Sequence, residues 1–184
     1  VKSKDRPVVI NKVAKSLNSE ELARLLIHSK DLPLGPAIWL GSLAGLRSEA
    51  IIGLKWDCVD FEDSCIHIKR CYKRKTDTIE SYAKNGDQPL VPMVPDLLKY
   101  LQHVKEQRQN QFVASFNKSG MLKYSEFVYY LRKHCKELGI TEITPHGLRH
   151  SVTELLYEQG FTDEDVAQFL TQKSTKIVRT YRHR

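Results

Sequence analysis

Residues 37–44 constrain the fold of this chain more than any other stretch. Ala37, Ile38, Trp39, Leu40, Leu43 and Ala44 leave no polar stripe on a helix wound through them. A helix that is apolar all round has no side to give to water, so other elements must surround it. The rest of the chain supplies them. Asn18 or Ser19 caps a helix over 20–28, with acids in its first turn and Leu22, Leu25 and Leu26 on its inner stripe. Pro95 opens a helix to about residue 109. Phe127, Val128, Leu131, Cys135 and Leu138 mark an amphipathic helix over 124–138, closed by Gly139. Pro145 starts a helix that ends near Gly160, and Thr162 caps another over 163–170.

Only one region reads as strand. Residues 65–71 alternate, Ile66 and Ile68 against His67 and Lys69, and 89–94 form a short strand bounded by prolines. Together they predict a hairpin with a long basic tip over 72–86, carrying Lys73, Arg74, Lys75 and Lys84. The predicted fold is therefore mainly α with a small antiparallel β-sheet, an α+β domain of a size that buries one core.

Gly45 breaks the apolar helix, and Arg47 follows before a short helix over 48–55 that turns Ile51, Ile52 and Leu54 inward. An arginine between two apolar helices needs an anion or water, because its guanidinium cannot discharge. Two partners are open: an internal carboxylate, Glu49 or Asp57, or an anion from outside.

Charge bears on the partners of the chain as a whole. With 29 Lys and Arg against 22 Asp and Glu, the net charge is +7 and the isoelectric point about 9.2. Such a surface favours polyanions, above all nucleic acid. No apolar run reaches the roughly 20 residues of a membrane span, so no membrane partner is expected. Cys58, Cys65, Cys71 and Cys135 show neither paired nor zinc-ligand spacing. His146 and His150 share a helix face without a third ligand at a suggestive spacing, so no metal and no cofactor is expected.

The last forty residues hold the densest chemistry. His146 and Arg149, three apart, lie on one helix face, and Tyr181 stands among Lys173, Lys176, Arg179, Arg182 and Arg184. Each has a bland reading: a packing tyrosine, a histidine at a helix start, a solvated Lys84. An acid/base group, a fixed cation and a phenol together fit chemistry on a phosphate.

Four segments, in order, resemble the catalytic domain of the tyrosine recombinases, the phage-integrase family. AGLRSEAIIGLKWDCVDF resembles the family's segment around its first arginine, with Leu54, Trp56, Val59 and Asp60 continuing it. AKNGDQPLVPM resembles its lysine hairpin, and ITPHGLRHS its H-x-x-R-H box. TQKSTKIVRTY resembles the closing segment, with the tyrosine nine residues after Gln172. The resemblance covers roughly 17–181, which makes 17–184 a catalytic domain and 1–16 a linker or arm from a separate N-terminal DNA-binding domain.

The resemblance implies roles. Tyr181 is the nucleophile that forms a 3′-phosphotyrosyl link. Arg47 and Arg149 clamp the phosphate, Lys84 protonates the leaving 5′-oxygen, and His146 is the acid/base partner. It also implies a site-specific DNA strand transferase independent of metal and ATP. Double-stranded DNA is its partner, gripped by Lys73, Arg74, Lys75, Lys173, Lys176 and Arg179. Other protomers join it in a tetramer on synapsed DNA, the isolated domain being monomeric, in the cytoplasm of a bacterial or phage-infected cell. A topoisomerase of type IB character and a DNA-binding relative that no longer cleaves are the alternatives. Two positions depart from the family: Gln172 stands where most members have His, and Ala50 where an acid usually follows the first arginine, the acid here being Glu49.

Overall fold

The computed structural model describes residues 15–82, 88–107, 110–116 and 120–171. Helices dominate: α1 (Ser19–Ser29), α2 (Gly35–Leu43), α3 (Ser48–Gly53), α4 (Pro95–Gln107), α5 (Tyr124–Leu138), α6 (Pro145–Glu158) and α7 (Asp163–Thr171). Five short strands lie between α3 and α4: β1 (Val59–Asp60), β2 (Cys65–His67), β3 (Arg70–Lys73), β4 (Thr78–Ser81) and β5 (Leu90–Pro92). This is the expected α+β class.

The apolar helix is central. In α2, Gly35, Pro36, Ala37, Ile38, Leu40, Gly41 and Ser42 are buried, and α1, α3, α4 and α6 pack around it. Its approach to α6 is set by Gly41, where an added Cβ would meet Leu148 Cδ1 at 2.9 Å. Trp39, at the edge, stacks on Tyr100 of α4 with centroids 4.1 Å apart and donates its indole N–H to the Leu26 carbonyl.

Capping explains where the shell helices start. Asn18 accepts from the Glu21 amide at 2.9 Å while Glu21 accepts from the Asn18 amide at 3.1 Å, a closed capping box. The other Glu21 oxygen accepts from the Thr141 amide and hydroxyl, which fastens the start of α1 to the chain leaving α5. Gly139 ends α5 at φ 62°, the left-handed conformation its lack of a side chain permits. Upstream of α1, the Leu17 amide donates to the buried Ser151 hydroxyl at 2.8 Å, and that hydroxyl donates to the Gly147 carbonyl. The Lys15 carbonyl would lie 2.8 Å from a Cβ on Gly147, so the chain enters directly against α6.

The sheet differs from the expectation in one respect. β2 pairs antiparallel with β5, Ile66 opposite Val91, as the hairpin reading requires, and β1 pairs on its other side. The alternating run 65–71 is not one strand, however. It changes partner at Ile68–Lys69, and β3 pairs with β4 in a second, two-stranded sheet, Cys71 opposite Glu80. The long basic tip is thus largely a second hairpin. Its turn at Asp77, φ 54°, is held by a Tyr72 hydroxyl that donates to the Asp77 carboxylate at 2.8 Å. This hairpin lies against α3, where a Cβ on Gly53 would meet Cys71 Cα at 3.2 Å.

The four cysteines form no disulfide with one another. Among the described residues, no helix is long and apolar enough to cross a membrane.

Candidate active site

The site is built on the turn between α2 and α3. Ala44 ends α2 and Gly45, at φ 58°, reverses the chain in a conformation costly for any residue with a side chain. Leu46 then buries itself, and Arg47 starts α3 from an extended backbone, its carbonyl accepting from the Ala50 and Ile51 amides. The turn is roofed by α7, since a Cβ on Gly45 would meet Leu170 Cδ2 at 3.0 Å.

Arg47 corrects the sequence reading. Its side chain is exposed, not lodged between apolar helices, because the turn lifts the chain out of the core one residue after Leu46. The internal ion pair is also overturned. Both carboxylates it required are held by other arginines. Asp57 takes a two-pronged bond from Arg70 at 2.9 and 2.8 Å, and that guanidinium holds its carboxyl well below the usual range. Glu49 accepts from Arg74 Nε and Nη2 at 3.0 and 2.6 Å and from the Ser48 hydroxyl at 2.8 Å. Those bonds keep the Glu49 carboxyl below its ordinary value although burial pushes the other way.

Arg149 comes to the same turn from α6. One Nη donates to the Gly45 carbonyl at 2.6 Å and the other to the Leu170 carbonyl at 3.2 Å, so the guanidinium ties the α2–α3 turn to the end of α7. Burial lowers its basicity, and the positive charge of Arg47 lowers it further. It nevertheless stays charged, as a guanidinium does in proteins. Two cations therefore share one neighbourhood, and among the described residues no carboxylate is hydrogen-bonded to either. Three of the five Arg149 N–H donors have no partner among those residues.

His146, at the second position of α6, is exposed and sets its ring edge-on to His150, centroids 4.4 Å apart. Partial desolvation pushes its pKa below the ordinary histidine value, and His150, Arg149 and Arg47 push the same way, against Glu49. The ring is therefore neutral at pH 7 and able to accept a proton.

Of the cations proposed from sequence to grip a polyanion, Lys73 is exposed at the end of β3 and Lys75 on the turn that follows. Arg74 between them, also exposed, is engaged by the protein's own groups: besides Glu49, its guanidinium lies 3.7 Å over the Tyr124 ring. Lys84, Gln172, Lys173, Lys176, Arg179 and Tyr181 lie outside the described residues. Sequence reasoning missed one contributor and left a second, Glu49, as a departure from the family outside the site. Tyr82, the residue after β4, is close enough to Arg149 to counter the fall in its basicity, and Glu49 is the acid that acts on His146. An acid two residues after Arg47 was the available signal for Glu49. Nothing in the pattern around Tyr82 marked it.

The profile of the phage integrase family matches residues 15–184, and the chain belongs to that family. It is 24% identical over 180 residues to a tyrosine recombinase XerA of Pyrococcus horikoshii, covering 95% of this chain and 59% of that protein. It is 26% identical over 151 residues to a tyrosine recombinase XerC of Chlamydia caviae, covering 76% of this chain and 43% of that one. The chain thus spans about half the length of the curated relatives it matches. Among solved structures, the Tn1549 transposon integrase in complex with a circular intermediate DNA shares the fold, with a TM-score of 0.75 at 16% identity over 94% of this chain and 62% of that one.

Proposed function

We propose that the chain is the catalytic domain, 17–184, of a site-specific DNA recombinase that cuts and rejoins strands through a 3′-phosphotyrosyl intermediate. The observation that carries this reading is the pair of guanidiniums, Arg47 and Arg149, brought together from distant helices while Glu49 and Asp57 serve other arginines. Like charges that share one neighbourhood, with no carboxylate of the described residues bonded to either, ask for an anion from outside, and a planar donor fork matches a phosphate.

In the reaction, the Tyr181 hydroxyl attacks phosphorus and the bond from phosphorus to the 5′-oxygen breaks. An unperturbed phenol has a pKa of about 10, so its proton has to be accepted. His146 is kept neutral and stands beside the cations, which suits it to that task. Arg47 and Arg149 stabilise the charge that develops on the non-bridging oxygens. Lys84 gives a proton to the leaving 5′-oxygen; Tyr82, two residues before it and within electrostatic reach of Arg149, supports that assignment. A 5′-hydroxyl of another strand reverses the step. Positioning and charge stabilisation supply the catalysis of phosphoryl transfer, so the step itself calls for neither a metal ion nor ATP.

Lys73 and Lys75, with Lys173, Lys176 and Arg179, would meet the DNA backbone. Other protomers on synapsed DNA would complete the assembly, with the segment 1–16 leading from a separate DNA-binding domain, in a bacterial or phage-infected cytoplasm. Gln172 favours a second reading, a relative with slowed or lost cleavage. An amide can donate to a phosphate oxygen but cannot carry a proton, and outright loss of such a donor costs about 3–4 kcal/mol.

The test is a nicked suicide DNA substrate with labelled DNA. Covalent DNA on the parent protein and none on Tyr181→Phe is the expected result. DNA binding without any covalent product in the parent would replace the first reading with the second.

A further inference from the structure

On the face shared by α1 and α5, helices that carry none of the arginine-site residues, three side chains converge. His28 Nε2 lies 3.3 Å from His134 Nδ1, His134 Nδ1 lies 3.1 Å from Glu137 Oε2, and His28 Nε2 lies 3.6 Å from the same oxygen. All three sides of this triangle bring polar atoms together, yet protons cannot serve them all. A carboxylate only accepts, and each imidazole nitrogen carries at most one hydrogen. If His134 Nδ1 is protonated toward Glu137, then His28 Nε2 must present a lone pair to one of the two and leave the carboxylate side without a hydrogen. If His134 Nδ1 is unprotonated, its own lone pair faces the carboxylate at 3.1 Å. Protonating both rings sets two N–H groups against each other at 3.3 Å.

A cation at the centre satisfies all three lone pairs at once. We infer that His28, His134 and Glu137 form a zinc site that braces α1 against α5. The donors and their spacing fit zinc. A circle of about 1.9 Å radius passes through the three donor atoms, so an ion raised slightly from their plane meets each near the ~2.0–2.1 Å of zinc bonds to imidazole and carboxylate. Tetrahedral zinc at such distances spaces its ligands roughly 3.3 Å apart, the separation seen here. Calcium and magnesium take oxygen donors and longer or octahedral arrangements, which two imidazoles do not supply. His134 is largely covered, 12% exposed, while His28 and Glu137 are 31% and 44% exposed, so water reaches the fourth position. The outer Glu137 oxygen has Lys133 Nζ at 3.8 Å, which orients the carboxylate from outside.

The bonds that flank the cluster tie the same two helices: Arg24 Nη2 donates to the Leu138 carbonyl at 2.6 Å, and Glu21 accepts from Thr141. The metal is thus a structural brace, separate from the proposed phosphate chemistry. A second group, Asp60, Cys65 and His67, also gathers donors, with Cys65 Sγ 3.7 Å from His67 Nε2, and it serves as the comparison site in the test.

Chelator-treated full chain is titrated with Zn²⁺ against a chromophoric chelator, and with Co²⁺ followed by its visible absorption. One equivalent of zinc should bind at micromolar or lower concentration, with a rise in thermal midpoint and the absorption of a low-coordinate Co²⁺ site. Glu137→Gln, at a half-exposed position where folding is safe, and His134→Gln should each weaken binding at least about tenfold. His67→Gln should leave it unchanged. The proposal is overturned if no zinc is taken up at about 10 µM free metal, or if both cluster variants bind as the parent does. It is equally overturned if His67→Gln alone abolishes uptake, which assigns the metal to the other group.

Discussion

Replacing Arg149 by lysine separates what its guanidinium does for the fold from what it does for a phosphate. The side chain donates to two backbone carbonyls, Gly45 at 2.6 Å and Leu170 at 3.2 Å, from two different nitrogens. An ammonium ends one bond nearer the backbone and is a point, not a fork, so it keeps at most one of them. A hydrogen bond to a charged group contributes about 1.5–3 kcal/mol, and the longer contact lies at the weak end, so the loss should be about 1.5–2 kcal/mol. At roughly 2–4 °C per kcal/mol for a chain of this size, the thermal midpoint should fall by about 3–8 °C. Amides of α7, which Arg149 ties to the turn, should exchange faster than those of α2. On a suicide substrate, one missing donor at the developing charge should slow cleavage by about 10²–10³. The two readouts fail separately. A midpoint within about 1 °C of the parent refutes the tether. A cleavage rate within about threefold refutes the phosphate clamp, whatever the stability does.

Gly45→Ala forces a side chain into a left-handed backbone and against Leu170, so it should cost about 1–2 kcal/mol in urea unfolding and slow cleavage, since both arginines hang on that turn. Lys73→Ala and Lys75→Ala should each weaken DNA binding and flatten its salt dependence by about one unit of slope, whereas Arg74→Ala should change the slope little. Arg74 is already spent on Glu49 and Tyr124; equal slopes for all three variants in fluorescence anisotropy would contradict this. Acid should destabilise the domain through Asp57 and Glu21. Both carboxyls are held below their ordinary values, so their contribution is complete above the unfolded pKa near 4 and disappears as the pH falls toward the lower folded values. Asp57→Asn should therefore flatten the loss of stability between pH 5 and 3, with a modest effect because the pair is partly exposed.

The parts of this molecule written in local pattern were legible. An all-round apolar run has one physical solution, and 37–44 is buried as that requires. The cap of α1, the bounds of α5 and the glycine that closes it follow from side chains adjacent in sequence. The split of 65–71 was not legible, because alternation continues unbroken through Ile68–Lys69 and the change lies in which strand is opposite. The exposure of Arg47 was misread for a related reason: composition on both sides is apolar, and only the backbone turn at Gly45 shows the chain leaving the core. The partners of Arg149 are carbonyls, which every residue has, so no pattern of side chains announces them. The histidine pair on α1 and α5 is 106 residues apart, beyond any spacing rule.

The path by which the chain enters the domain has a mechanical meaning. The Leu17 amide, the Ser151 hydroxyl and the Gly147 carbonyl form a continuous relay, and the Lys15 carbonyl abuts Gly147, the neighbour of His146. A shift of the backbone at Lys15 or Leu17 therefore bears directly on α6, one residue from the imidazole and two from Arg149. The helix that carries His146 and the half-buried Arg149 is thereby also the helix to which residues 15–17 are fastened.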